Sequence, residues 1–124
     1  MPEKHLSCVL LADGHQALCE GVRGLLESAF GTVVMVADET SLLEGARRLQ
    51  PEVAVVDLSL ARHSGLDWLR ALRARCPEVK VIVLSVHDEQ SVRQAALDAG
   101  AHAVVLKRAI ATDLLPAIAR LRAG

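Results

Sequence analysis

Five short apolar runs punctuate the chain, at residues 6–12, 32–36, 53–56, 79–84 and 103–106, and apolar residues recur at helical spacing between them. The run Val53-Ala54-Val55-Val56 shows no alternation of polar and apolar positions. Such a run marks a strand buried on both faces, as in a parallel sheet covered by helices. Leu18, Val22, Leu25, Leu26 and Ala29 define a first helical stripe, with Gly31 as its stop. Leu42, Leu43, Ala46 and Leu49 define a second, capped by Thr40 or Ser41 and halted by Pro51. Leu66, Leu69 and Leu72 give a third, ending near Cys76-Pro77, and Val92, Ala95, Ala96 and Ala99 a fourth, closed by Gly100. Leu114, Leu115, Ile118 and Leu121 form the last, with Thr112 as its expected cap and Pro116 awkwardly placed inside it. Strict alternation of strand and helix, without linker or low-complexity segment, predicts one α/β domain over residues 1–124: a doubly wound parallel sheet of five strands with five helices.

Composition narrows the function classes. Of 124 residues, 52% are hydrophobic, which excludes a disordered chain. No apolar stretch approaches the ~20 residues needed to cross a bilayer, and the N-terminal run is too short for a signal-peptide core. A cytoplasmic protein without membrane contact is the expectation. With 14 basic against 15 acidic residues there is no basic footprint for direct nucleic-acid binding. Phe30 and Trp68 are the only aromatic residues, so base-stacking platforms are not expected. Cys8, Cys19 and Cys76 are odd in number and form no CxxC, which argues against both a disulfide framework and a zinc knuckle. Cys8 reads as a small buried hydrophobe.

The chemistry lies where the strands end. Strands one, three, four and five run into Asp13, Asp57, Ser85 and Lys107. In a parallel sheet these four project at one edge, the edge where open α/β sheets bind ligands. Taken alone, Asp57 could equally be a cap or turn residue, and Ser85 and Lys107 ordinary loop residues. Together they are more specific. Two adjacent carboxylates repel, and a hard cation such as Mg²⁺ or the ammonium of Lys107 relieves that repulsion. A carboxylate beside a metal and a lysine can attack a phosphoryl group, because that transfer depends mostly on positioning and charge neutralisation. Ser85 could donate a hydrogen bond to one phosphoryl oxygen while Lys107 pairs with another.

Four segments carry a resemblance: Val9-Leu10-Leu11-Ala12-Asp13-Gly14-His15, Val55-Val56-Asp57-Leu58-Ser59-Leu60 continuing to Gly65-Leu66, Val81-Ile82-Val83-Leu84-Ser85-Val86-His87-Asp88, and Gly100-Ala101-His102-Ala103-Val104-Val105-Leu106-Lys107. With these the chain resembles, over essentially its whole length, the receiver domain of two-component response regulators. It is most like the subfamily whose full-length members add a LuxR-type helix-turn-helix domain, a domain not found in these 124 residues. The resemblance implies the flavodoxin-like strand order 2-1-3-4-5. It also implies a cytoplasmic signalling protein and transcription regulator rather than an enzyme, beyond autocatalytic phosphoryl acceptance and hydrolysis. Asp57 would accept a phosphoryl group from a sensor histidine kinase. Asp13, Asp57 and the backbone carbonyl of Ser59 would hold Mg²⁺, with Asp13 acting through a metal-bound water. Ser85 would be the hydroxyl switch and Lys107 the phosphoryl-contacting lysine. Homodimerisation is a further implication, and DNA would be reached only through a C-terminal domain.

Three departures from that family bear on function. Gly14 stands where a second acidic residue usually contacts the metal, which predicts weak or atypical Mg²⁺ dependence. Val104 stands where an aromatic ring usually turns inward on activation, and Ala61, beside Arg62 and His63, replaces a loop-stiffening proline. The alternative these departures support is a pseudo-receiver, an interaction module regulated without phosphorylation. A second alternative is a transition-metal site from His15, His63 and His87 on the loops of the same edge. A dinucleotide site is disfavoured because no GxGxxG follows the first strand. The family's frequent output surface would expose Arg93, Gln94, Leu97, His102 and Ile110. The first and last helices are its other recurrent interface. Arg47, Arg48, Arg70, Arg73 and Arg75 read as solvated helix faces.

Overall fold

In a computed structural model, which describes residues 7–13, 16–60 and 65–123, the apolar runs become five parallel strands. These are β1 (Cys8–Ala12), β2 (Thr32–Val36), β3 (Val53–Asp57), β4 (Lys80–Ser85) and β5 (Ala103–Leu106), in the order β2-β1-β3-β4-β5. The helices are α1 (Gln16–Glu27), α2 (Glu39–Leu49), α3 (Asp67–Arg75), α4 (Gln90–Asp98) and α5 (Ile110–Ala123). Short 3₁₀ turns follow β3 (Leu58–Leu60) and β5 (Lys107–Ala109). The doubly wound fold and the strand order therefore stand as expected.

Period-two alternation within the buried strands feeds two separate cores. Leu10, Ala12, Ala54, Val56, Val81, Val83 and Val104 pack with Leu42, Ala46, Trp68, Leu69, Leu72 and Ala96 of α2, α3 and α4. Val9, Leu11, Val53, Val55, Ile82, Leu84 and Val105 face α1 and α5, meeting Val22, Leu26, Ile110, Leu114 and Ile118. A strand covered on both faces has no solvent side, so it needs apolar residues at every position, and this produces the continuous runs. Phe30 and Trp68 are both consumed by this packing.

Several local expectations are corrected. Helix α2 is capped neither by Thr40 nor by Ser41. Asp38 lies in extended geometry at the N-cap, and its Oδ1 accepts from the Ser41 N–H at 2.7 Å. Helix α5 begins at Ile110, because the 3₁₀ turn 107–109 continues directly into it. Thr112 is therefore a first-turn residue, its hydroxyl donating to the Ala109 carbonyl, rather than a cap. Pro116 lies inside α5 without ending it. Ile110, expected on the output surface, is only 6% exposed and belongs to the α1/α5 core. Leu97 and His102 are half-buried, whereas Arg93 and Gln94 are exposed. Gly100 does close α4, with φ +122, and the added Cβ of any other residue would come within 2.5 Å of the Arg73 Cγ. Cys8 is only partly buried, and Cys76 is buried; both are free thiols.

His102 gives this sheet a pH-sensitive join. Its N–H donates to the Val81 carbonyl at 2.8 Å, while its Nδ1 accepts from the Val81 N–H at 3.0 Å. Partial burial, with the charges of Arg73 and Lys80 nearby, holds the imidazole below its ordinary 6.5. A base whose folded pKa is depressed adds stability that is complete above 6.5 and is lost as the pH falls through its lower folded value. Protonation also sets N–H against N–H, which costs about 1 kcal/mol. Urea unfolding between about pH 7 and pH 5 is expected to show this loss, and His102→Asn, which cannot titrate, to flatten that part of the profile.

Candidate functional site

The register explains how distant residues meet. Ala12 is level with Val56, so Asp13 and Asp57, one residue further on, leave adjacent strands side by side. Asp57 is level with Leu84 of β4, and Ser85 with Leu106 of β5. Lys107 leaves the sheet two strands from Asp57, about 10 Å away in backbone terms. Only a long side chain can close that gap, and Lys107 does so. Its Nζ donates to Asp57 Oδ2 at 2.7 Å.

Asp57 is 1% exposed, Asp13 and Ser85 are also buried, and Lys107 is 15% exposed. The Asp57 Oδ1 accepts from the Ser59 N–H at 3.1 Å, inside the 3₁₀ turn after β3. Burial is the largest influence on the Asp57 carboxyl and pushes its pKa up. The Lys107 hydrogen bond and charge, the Ser59 N–H and a hydrogen bond with Asp13 together outweigh it. The carboxyl is held below its ordinary 3.8 and is ionised at neutral pH. A desolvated carboxylate with one oxygen on an ammonium and the other on a backbone N–H is a nucleophile held in one orientation.

Ser85 shares the edge, but its hydroxyl is turned into its own loop. Oγ accepts from the His87 N–H at 2.9 Å and donates to the His87 carbonyl at 3.2 Å. Gly14, His15, Ala61, Arg62 and His63 lie outside the described residues. His87 is exposed, 3.7 Å from Glu89 through Nδ1. Among the described residues no group of three His, Cys, Asp or Glu side chains could hold a metal ion. Sequence reasoning missed the ion pair between Arg108 and Asp88, at 2.9 Å, which joins the loop after Ser85 to the turn after Lys107. The only signal for it was that each charge lies within three residues of a motif residue.

The family description "response regulator receiver domain" matches residues 9–119 of the chain. This chain belongs to that family. The nitrate/nitrite response regulator protein NarP of Escherichia coli K12 is 39% identical over the whole chain, which spans 57% of NarP. The signal receiver domain of the putative response regulator NarL from Mycobacterium tuberculosis superposes with a TM-score of 0.83 at 27% identity, covering 95% of this chain and 97% of that one. The RcsB response regulator of Salmonella typhimurium, solved in a study of its conformational dynamism for DNA interaction, superposes at 0.85 with 29% identity, covering 95% of this chain and 60% of RcsB. The chain thus spans a little over half the length of NarP and RcsB.

Response regulators are signalling proteins rather than classical enzymes, and they receive phosphoryl groups from histidine kinases. Receiver domains generally bind Mg²⁺ for that step. The donor chemistry here is compatible with such an ion. Asp13 and Asp57 are buried neighbours whose carboxyl oxygens are the ligand type a hard cation takes. Among the described residues no helix is long and apolar enough to cross a membrane.

Proposed function

We propose that this domain takes a phosphoryl group on Asp57 from a sensor histidine kinase and relays the change to a partner surface. The observation that carries the reading is the 2.7 Å contact between Lys107 Nζ and Asp57 Oδ2 in a pocket that also buries Asp13. The Asp57 carboxylate attacks phosphorus. An oxygen–phosphorus bond forms as the nitrogen–phosphorus bond of the phosphohistidine breaks, and the freed imidazole takes up a proton. Lys107 follows the charge from the carboxylate onto the phosphoryl oxygens, and Ser85 turns from His87 to donate to one of them. Asp13, Asp57 and the Ser59 carbonyl would hold Mg²⁺, which supplies neutralisation of the phosphoryl charge when bound. With glycine at position 14 the protein offers one carboxylate fewer than is usual in the family, so Mg²⁺ dependence is weak or atypical.

DNA contact, as in the RcsB study, would come through a segment beyond these residues. Dimerisation and a cytoplasmic location complete the reading, with residues 1–124 as the receiver unit. The competing reading, an interaction module that never takes phosphate, draws on Gly14 and on the ringless, buried Val104. A small phosphodonor with Mg²⁺, followed by intact mass, separates the two. One phosphoryl increment on the wild type and none on Asp57→Asn is expected. No increment on the wild type, even at high Mg²⁺, establishes the interaction module instead.

A further inference from the structure

Lys107 and Arg108 are consecutive, yet each holds a carboxylate leaving a different strand. Lys107 holds Asp57 at the end of β3, and Arg108 Nη2 donates to Asp88 Oδ2 at 2.9 Å in the segment between β4 and α4. Asp88 is three residues past Ser85, and between them the Ser85 hydroxyl and the His87 backbone bond each other reciprocally. The result is a closed circuit. It runs from Asp57 through Lys107 to Arg108 and Asp88, and back along 88–85 to β4, the strand paired with β3. To donate to a phosphoryl oxygen on Asp57, the Ser85 hydroxyl must give up its bond to the His87 carbonyl, one of the two bonds that hold residues 86–88 against Ser85. Asp88 is where that segment is tied to the turn 107–109. Val104, lower on β5, has no ring whose rotation could couple the same two loops.

We propose that the Arg108–Asp88 ion pair is a positioning latch: it holds residues 86–88 in the arrangement that keeps the Ser85 hydroxyl on His87, and so restrains phosphoryl uptake by Asp57. The proposal rests on Asp57 being the phosphoryl acceptor. Both side chains are largely exposed, at 68% and 56%, so the latch is weak by construction. An exposed pair of this kind shifts a two-state equilibrium by no more than about fivefold. That range suits a domain that must leave its resting state when a single group is added.

The test uses the full chain and four variants: Asp88→Ala, Arg108→Ala, the double alanine, and the exchanged pair Asp88→Arg with Arg108→Asp. The first readout is the rate of phosphoryl uptake from a small phosphodonor with Mg²⁺, followed by intact mass. Each single variant is expected to be about two- to fivefold faster than wild type, the double no faster than either single, and the exchanged pair close to wild type. The second readout is hydrogen-exchange protection of the His87 amide in the unphosphorylated protein. Protection is expected to fall in the single variants and return in the exchanged pair. Unchanged or slower uptake in the single variants, or multiplying effects in the double, overturns the latch. Unchanged His87 protection overturns it whatever the rates do. If the wild type takes up no phosphoryl group, the acceptor reading fails by itself, and His87 protection alone then decides the latch.

Discussion

Lys107→Met is expected to slow phosphoryl uptake by Asp57 about 100-fold and to destabilise the protein by about 3 kcal/mol at neutral pH. The rate effect follows from removing the preformed cation nearest the reacting oxygen, the 2.7 Å partner of Asp57 Oδ2. The stability effect follows from what is left behind. Asp57 and Asp13 remain buried side by side, and an uncompensated buried charge costs far more than the pair itself contributed. Because Lys107 keeps 15% of its side chain exposed, the loss lies toward the low end for a broken buried pair.

In the wild type the Asp57 carboxyl is held below 3.8, so its contribution to stability is present above 3.8 and lost as the pH falls through its folded value. In Lys107→Met the hydrogen bond and charge that oppose burial are gone, so the carboxyl rises from its depressed value. The stability that the depressed carboxyl contributes above 3.8 shrinks accordingly, while below its folded value the two proteins no longer differ through this group. Denaturant unfolding of the two proteins is therefore expected to differ most near neutrality and to converge in acid. A constant gap across pH would show that Lys107 acts on stability through packing instead.

Gly14→Asp is expected to tighten Mg²⁺ binding by at least about tenfold and to make phosphoryl uptake depend more steeply on Mg²⁺. Losing even an outer-sphere partner of a metal ligand typically costs about 10–100-fold in affinity, so a restored direct carboxylate should gain at least the lower figure. The same substitution adds a carboxylate next to Asp13 in the sequence, so the metal-free protein should become less stable and the Mg²⁺-loaded protein should recover. Thermal unfolding with and without Mg²⁺ measures both effects. Equal Mg²⁺ affinity in the two proteins would mean that position 14 does not face the ion.

The largest features of the fold were legible because the physics behind them is local and repetitive. A strand buried on both faces needs apolar residues at every position, so the runs at 53–56 and 103–106 declare themselves. The site residues were legible for a related reason. A charged residue ending such a run, as Asp57 does, must lie at the rim, and parallel register then brings Asp13, Ser85 and Lys107 to the same edge. Which polar residues share the edge at the strand ends was determined by the sequence.

What the sequence left open was decided between near-equivalent polar groups. Asp38, Thr40 and Ser41 can each cap a helix, and only the path of the chain into α2 selected Asp38. Ile110 was expected on the surface, but the turn 107–109 runs directly into α5 at Ile110 and its side chain lies in the α1/α5 core. The Ser85 hydroxyl could have faced Asp57 or its own loop, and the structure turns it to His87. The pairing of Arg108 with Asp88, twenty residues apart, depends on the spacing of two loops at the end of the sheet. Side-chain hydrogen bonds and exposed ion pairs are short-ranged and individually weak, so their partners are fixed only once the sheet has set the distances.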